Sequence, residues 1–291
     1  MSLSREQMKR TLSGRKRFDR LSYLVFLSCT SVGIVVLCAL LIDVLVNGIG
    51  WLNWDFLNNY PSRRPAQAGI KSAFFGTIWM IALTAPIAFV LGVGTAIYLE
   101  EYAKKNWFTR FIQVNISNLA GVPSIVFGIL GLTLFVREMG LGRSLLAGAF
   151  TMALLILPII VVASQEALKS IPQELRHGSY ALGGTKWQTI RRIVLPAALP
   201  GILTGNILAL SRAIGETAPL IMIGALTFVA FTPSGPLDQF TVMPIQIFNW
   251  ISRPQEDFQY VAAAGIIVLL GMLLTMNALA IYLRNKFQHK F

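Results

Sequence analysis

Six apolar runs, each long enough to cross a lipid bilayer, constrain this chain more than any other feature. A membrane-spanning helix needs about 20 predominantly apolar residues, and only helices and closed barrels satisfy every backbone polar group inside lipid. The composition, 55% hydrophobic and 13% charged, agrees with this interpretation. The sequence therefore predicts an all-α integral membrane protein with six transmembrane helices, over residues 21–46, 73–99, 111–136, 144–165, 197–226 and 258–283.

Lysine and arginine counts orient these spans, because loops rich in basic residues stay in the cytoplasm. Eighteen basic residues lie in the two tails and in the loops after the second and fourth spans. We therefore predict that both termini are cytoplasmic. The net charge of +12 follows from this distribution and does not indicate a nucleic-acid partner. The opposite side is assigned five basic residues, Arg63, Arg64, Arg137, Arg143 and Arg253.

The fifth run contains two charged residues four positions apart, Arg212 and Glu216. A charged side chain at the bilayer centre costs about 2.5–3.5 kcal/mol on insertion scales, so such residues line polar paths, bind ligands or hold helices together. At this spacing the two side chains are neighbours that can form a structural ion pair. The functional alternative places them on a substrate path with Ser211 and Thr217, where the arginine fork would bind an oxyanion.

Small residues recur at every fourth position of the fifth run, which is typical of close helix packing in membranes. The charged pair lies one position from this ridge, so we expect it near a helix–helix contact and away from lipid. After this single crossing we predict a partly re-entrant segment ending near 233–236, then an outer interfacial helix over 243–250. The ridge consists of Gly201, Gly205, Ala209, Ala213 and Thr217.

Proline residues lie inside four of the predicted spans. Each removes a helix hydrogen bond, which membrane helices tolerate where neighbours or water replace it. Two interpretations stay open at this point: ordinary kinks, or broken helices that line a cavity. The four residues are Pro86, Pro123, Pro158 and Pro219.

The cytoplasmic loop between the fourth and fifth spans, 166–196, carries the signals of two short helices. Residues 170–173 and 185–188 both have the S/T-x-x-Q spacing of a capping box. Gly183 and Gly184 are expected to end the first helix, with Gly183 at positive φ because the chain must turn sharply there.

The second of these helices is predicted to end at Pro196 and to carry Trp187, Ile190 and Val194 on one face. Two capped helices with an apolar stripe suit docking into a groove of a soluble partner. The alternative is a helical hairpin that lies on the membrane surface.

This loop resembles a known family. Gly183, nine intervening residues and then 193–196 resemble the second half of the EAA loop of bacterial ABC importer permeases, where a coupling helix docks on the ATPase subunit. The chain departs from the family pattern at 177–179, where the family has a glutamate and two alanines. The resemblance assigns ATPase coupling to His177, Gly178, Ser179, Ala181, Leu182, Gly183, Gly184, Trp187, Ile193, Leu195 and Pro196.

Four further segments are similar to the A-type permease of the phosphate-specific ABC importer, namely 98–102, 118–128, 212–219 and 244–250. This resemblance covers the chain from about residue 69 to its end. It implies a type I ABC importer permease in the bacterial plasma (inner) membrane. The first run, at 26 residues, is too long for a signal-peptide core and is expected to be retained. The implied division is a basic tail over 1–20, a first transmembrane helix and external loop over 21–68, a transport domain over 69–284, and a cytoplasmic tail over 285–291.

The resemblance also implies the partners: a homologous C-type permease, two ATP-binding subunits, an extracytoplasmic phosphate-binding protein and membrane lipid. The sequence has no G-x-x-x-x-G-K-[ST] phosphate loop, so ATP is expected on partner subunits and no cofactor on this chain. No catalytic residues and no metal site are predicted. The alternatives are a permease for another oxyanion, such as molybdate or sulfate, and a non-transporting membrane scaffold whose charged pair locks helices together.

Overall fold

The computed structural model describes residues 5–225 and 228–286, and within these ranges the fold is all-helical. Helical stretches with π-type hydrogen bonding, Tyr98–Tyr102, Leu132–Glu138 and Ile190–Val194, extend or join several of the α-helices. The α-helices of the described residues are α1 (Arg5–Gly48), α2 (Trp54–Asn58), α3 (Lys71–Ile97), α4 (Trp107–Leu119), α5 (Ser124–Gly131), α6 (Leu145–Lys169), α7 (Gln173–Ala181), α8 (Lys186–Thr189), α9 (Leu195–Gly215), α10 (Ala218–Ile223), α11 (Met243–Ile251) and α12 (Asp257–Lys286).

The described chain has five helical segments that are long and apolar enough to cross a membrane, or six if one bent pair counts as a single span. This agrees with the predicted all-α membrane fold. Lys71 is the first residue of α3 and lies on the side predicted to be extracytoplasmic. That side therefore has six basic residues, and the predicted cytoplasmic side has eighteen. The five segments are Phe18–Trp51, Lys71–Tyr102, Leu145–Lys169, Lys186–Gly215 and Asp257–Lys286.

The third span, predicted over 111–136 with a kink or a break at Pro123, is a broken helix. α4 and α5, the latter extended to Glu138, meet at an angle of 104°. Pro123 is the N-cap of α5 and has no N–H to donate to the preceding turn, so the helix breaks there. The chain is therefore broken at Pro123, as one of the two interpretations requires, whereas Pro86 and Pro158 lie inside continuous helices.

The fifth span, predicted over 197–226, is wrong at both ends. It begins at Lys186 and runs through the π-helical stretch into α9, so Pro196 does not end the loop helix. Pro196 lies in the first turn of α9, where a missing N–H is tolerated, and the π-type turn precedes it. At the other end α9 stops at Gly215, and α10 follows after two residues. The predicted final residue, 226, lies outside the described residues.

α3, α6 and α9 form the centre of the fold, and small residues allow their close approach. A Cβ atom added at Gly201 or Gly205 of α9 would lie 2.8 or 2.4 Å from the Cβ of Ala167 or Ala163 of α6. The predicted ridge is therefore a helix contact. On the other side α12 packs against α9, α11 and the end of α1, where Gly48 touches the α12 backbone.

Candidate functional site

The first helix of the loop 166–196 begins differently from the prediction. α7 has Pro172 as its N-cap and no side-chain cap, so the capping box predicted at 170–173 is wrong. Ser170 instead donates its hydroxyl to the carbonyl of Ala167 and closes the end of α6. The hydroxyl is used by the preceding helix, and the proline fixes the start of the next one.

The turn between the two loop helices matches the prediction. Gly183 has φ +80°, a conformation that costs an ordinary L-residue about 1–2 kcal/mol. Its N–H donates to the carbonyl of Tyr180 at 2.9 Å, and the N–H of Gly184 donates to Ser179 at 3.0 Å. These bonds satisfy carbonyls at the end of α7.

The second capping box is confirmed. The Thr185 hydroxyl accepts from the N–H of Gln188 at 3.3 Å, and the Gln188 side chain accepts from the N–H of Thr185 at 2.9 Å. The two loop helices are also joined directly, because the Ser179 and Thr189 hydroxyls lie 2.8 Å apart. The loop is therefore a compact hydrogen-bonded unit.

A buried ion pair fixes this unit to the end of the second span. The Arg176 guanidinium of α7 donates to the Glu101 carboxylate at 2.8 Å, and each side chain is 8% exposed. Two further donors of Arg176 bond to the carbonyls of Ile171 at 2.7 Å and Leu168 at 2.9 Å. One arginine thus satisfies carbonyls at the end of α6 while it holds α7 against Glu101. Sequence reasoning missed this role, because the two partners are 75 positions apart.

The residues of the apolar stripe predicted on the second loop helix do not share one environment: some are buried and one is exposed. Ile190 and Val194 are buried in the chain's own core, whereas Trp187 is exposed. At the turn, Leu182 is 92% exposed. The predicted coupling residues 177, 178, 181–183 and 187 are exposed, 179 and 184 are half-buried, and Ile193, Leu195 and Pro196 lie half-buried in the helix that leads into the membrane.

The charged pair of the fifth span is also formed. Arg212 Nε donates to Glu216 Oε1 at 3.3 Å, although Glu216 lies one residue beyond the end of α9. The arginine side chain is 52% exposed and the glutamate 19%. Ala213, next to the arginine, is buried on the ridge, so Arg212 stands on the open side of the helix within this chain.

The other two residues of the predicted path have different surroundings. Ser211 donates its hydroxyl to Asn277 of α12 at 2.6 Å and is half-buried. Seven residues further along each helix of the same antiparallel pair, Arg284 donates to Thr204 at 3.1 Å. These contacts form a polar seam between α9 and α12. Thr217 is half-buried directly before α10 and caps it with no side-chain bond.

Within residues 5–225 and 228–286, no three His, Cys, Asp or Glu side chains lie close enough together to hold a metal ion. The two cysteines are free and exposed on α1.

Comparisons with known proteins agree with this architecture. A probable ABC transporter permease protein of Bacillus subtilis, YqgI, is 32% identical over 92% of this chain and 96% of its own length. The phosphate transport system permease protein PstA of Yersinia pestis is 31% identical over 98% of this chain and 96% of its own. A bacterial alginate ABC transporter, solved in complex with alginate pentasaccharide-bound periplasmic protein, contains a chain that superposes with a TM-score of 0.67 at 15% identity, over 91% of this chain and 93% of its own.

A family match covers most of the transport core. Residues 88–287 match the family described as binding-protein-dependent transport system inner membrane component. This range contains the broken third span, the loop 166–196 and the charged pair. The chain therefore belongs to the inner membrane components of binding-protein-dependent transport systems.

Proposed function

We propose that this chain is the permease subunit of an ATP-driven importer that moves inorganic phosphate into the cytoplasm. The observation that carries the proposal is the cytoplasmic loop 166–196. It is a rigid two-helix unit, fixed to two spans through Arg176, and it presents Leu182 and Trp187 to solvent. Exposed apolar side chains on a rigid support suit insertion into a groove of a soluble subunit. The relative named as a phosphate transport permease supports phosphate as the substrate.

The proposed assembly contains a homologous C-type permease, two ATP-binding subunits and an extracytoplasmic phosphate-binding protein. ATP is bound by the partner subunits. Their movement is transmitted through the loop 166–196 and changes the arrangement of the transmembrane helices of this chain. The alginate transporter, which was solved with its periplasmic protein, supports a binding-protein partner here. The second permease and the surrounding lipid would cover the apolar side chains exposed along α1 and α4.

For the translocation path we propose a role for Arg212, with Glu216 as its restraint. The guanidinium is permanently charged and offers a planar fork to a phosphate oxyanion. Its single 3.3 Å bond to Glu216 leaves donors free. The carboxylate beside it weakens anion binding enough for release, which conduction requires. Thr217 lies beside this pair, whereas the hydroxyl of Ser211 is used in the contact with α12.

The decisive experiment is reconstitution of the chain with its partner subunits in vesicles. We expect ATP hydrolysis and phosphate uptake that both require the phosphate-loaded binding protein. Competition with molybdate and sulfate tests the substrate, and uptake of either in preference to phosphate would assign the permease to that oxyanion. Absence of partner-dependent ATP hydrolysis and of uptake would favour the scaffold alternative.

A further inference from the structure

A polar trough of about 780 Å³ lies where the end of the second span, the start of α4 and the end of α6 meet. This is the end of the molecule that carries the coupling loop, because Lys169 both lines the trough and ends α6. An extension of about 380 Å³ continues between α4 and α6 and shares Gln113 and Lys169 with the trough. Neither part belongs to the charged pair of the fifth span or to the exposed docking surface of the loop.

The charges of the trough favour an anion. Lys105, Arg110 and Lys169 line it, against one carboxylate, that of Glu100. Lys169 is bonded to Glu166 of the extension at 2.9 Å. Lys105 and Arg110 are exposed and form none of the ion pairs of the described chain. Two unpaired cations therefore face one open, polar space.

The extension contains a donor without an acceptor. Gln165 is 6% exposed and lines this space, and its Nε2 has no hydrogen-bond partner within the described residues. A buried polar group left unbonded costs about 1–3 kcal/mol. This buried donor adds to the polar character of the extension.

The mouth of the trough has an apolar border. The rings of Trp107 and Phe111 on α4 are stacked with centroids 5.9 Å apart, and both residues are exposed. Trp107 also lines the trough. Exposed aromatic side chains beside basic residues are typical of the membrane–water interface, and basic pockets between spans on the cytoplasmic side bind anionic headgroups.

We propose that this trough binds a phosphate-type oxyanion, held by Lys105 and Arg110, which line it. Its source is either the headgroup of an anionic phospholipid in the leaflet beside the coupling loop or free inorganic phosphate. The site does not depend on which substrate the complex transports. Because Glu100 precedes Glu101, the partner of Arg176, a bound oxyanion lies next to the attachment of the coupling loop.

The test measures binding to the purified, delipidated complex by the shift of its thermal unfolding midpoint. The probes are phosphatidylglycerol, phosphatidylcholine as the uncharged-headgroup control, and inorganic phosphate against chloride at equal ionic strength. The test variant is Lys105→Gln with Arg110→Gln, and Lys104→Gln is the matched control because Lys104 does not line the trough. Lys105→Arg with Arg110→Lys preserves the charge and checks that the site still folds.

We expect phosphatidylglycerol or inorganic phosphate to raise the midpoint of the wild type, of Lys104→Gln and of the charge-preserving variant. The double glutamine variant should bind about 25-fold more weakly. That is about fivefold per charge removed, or about 1 kcal/mol each. The probe with the lower apparent Kd identifies the source of the oxyanion. Absence of a shift with either probe, or equal weakening by Lys104→Gln and the double variant, would overturn the proposal.

Discussion

Arg176 and Glu101 pair across 75 positions with both side chains 8% exposed, whereas Arg212 and Glu216 pair across four positions at 52% and 19% exposure. The first arginine also bonds to two carbonyls, and the second makes one bond of 3.3 Å. A charge removed from water needs such additional bonds, because desolvation costs several kcal/mol per ion. The comparison indicates that the first pair holds α7 against the second span, while the guanidinium of the second has donors that make no bond within the described chain.

The strongest test of this comparison is removal of Glu101. Glu101→Ala leaves the guanidinium of Arg176 buried without its counter-charge, which costs about 3–5 kcal/mol for a buried pair. We expect a lower unfolding midpoint of the purified complex and poor co-purification of the ATPase subunits, measured by thermal unfolding and by subunit stoichiometry.

The neighbouring Glu100→Ala is the matched control, since Glu100 belongs to no ion pair of the described chain. Adding Arg176→Met to Glu101→Ala should recover part of the lost stability, because the unpaired charge is then gone. Equal stability of the Glu100 and Glu101 variants would mean that the buried pair does not hold the loop.

The backbone provides a second test of the same loop. Gly183→Leu places an L-residue at φ +80°, at a cost of about 1–2 kcal/mol. No atom lies within 4 Å of the added Cβ, so the strain is confined to the backbone. We expect membrane insertion and ATP hydrolysis to persist while uptake falls, measured together in vesicles. Gly183→Asn, which tolerates this conformation, should retain coupling, and normal uptake by the leucine variant contradicts the interpretation.

At the exposed pair, a change of chemistry should affect transport more than stability. Arg212→Lys retains the charge and loses the fork, so we expect phosphate uptake to fall about 20-fold, or about 1.8 kcal/mol, which is within the range for a hydrogen bond to a charged group. The unfolding free energy should change little, because lysine retains the positive charge beside Glu216.

Uptake assays and thermal unfolding on the same Arg212→Lys preparation separate these effects. Wild-type uptake by this variant, or full uptake by Arg212→Gln combined with Glu216→Gln, would show that the pair is structural.

The smallest expected effect is at Ser211, next to the arginine in sequence but bonded to α12. Ser211→Ala should lower the unfolding free energy by about 0.6 kcal/mol, the average for hydrogen bonds between membrane helices, and leave uptake unchanged. Asn277→Ala completes a double-mutant cycle, and the two changes should not be additive. If Ser211→Ala loses uptake without losing stability, Ser211 acts on the substrate path and not only in the contact with α12.

Local patterns predicted local structure well. The Thr185–Gln188 capping box, the left-handed Gly183 and the small-residue ridge all depend on residues within a few positions of one another, so their spacing is sufficient. The capping box predicted at Ser170 has the same spacing but does not form. Because α6 extends to Lys169, the Ser170 hydroxyl donates to a carbonyl at the end of α6 instead. Spacing alone does not say which of two adjacent helices a polar group will serve.

The sequence by itself determined the helical membrane fold, since runs of apolar residues leave the backbone no other way to satisfy its hydrogen bonds. It also determined the charged pair of the fifth span, because helix geometry brings residues four apart into contact. Only the tertiary structure decided that Arg176 meets Glu101, and that Ile190 and Val194 are buried while Trp187 is exposed. These outcomes depend on which helices pack together, and no local periodicity encodes contacts between distant segments.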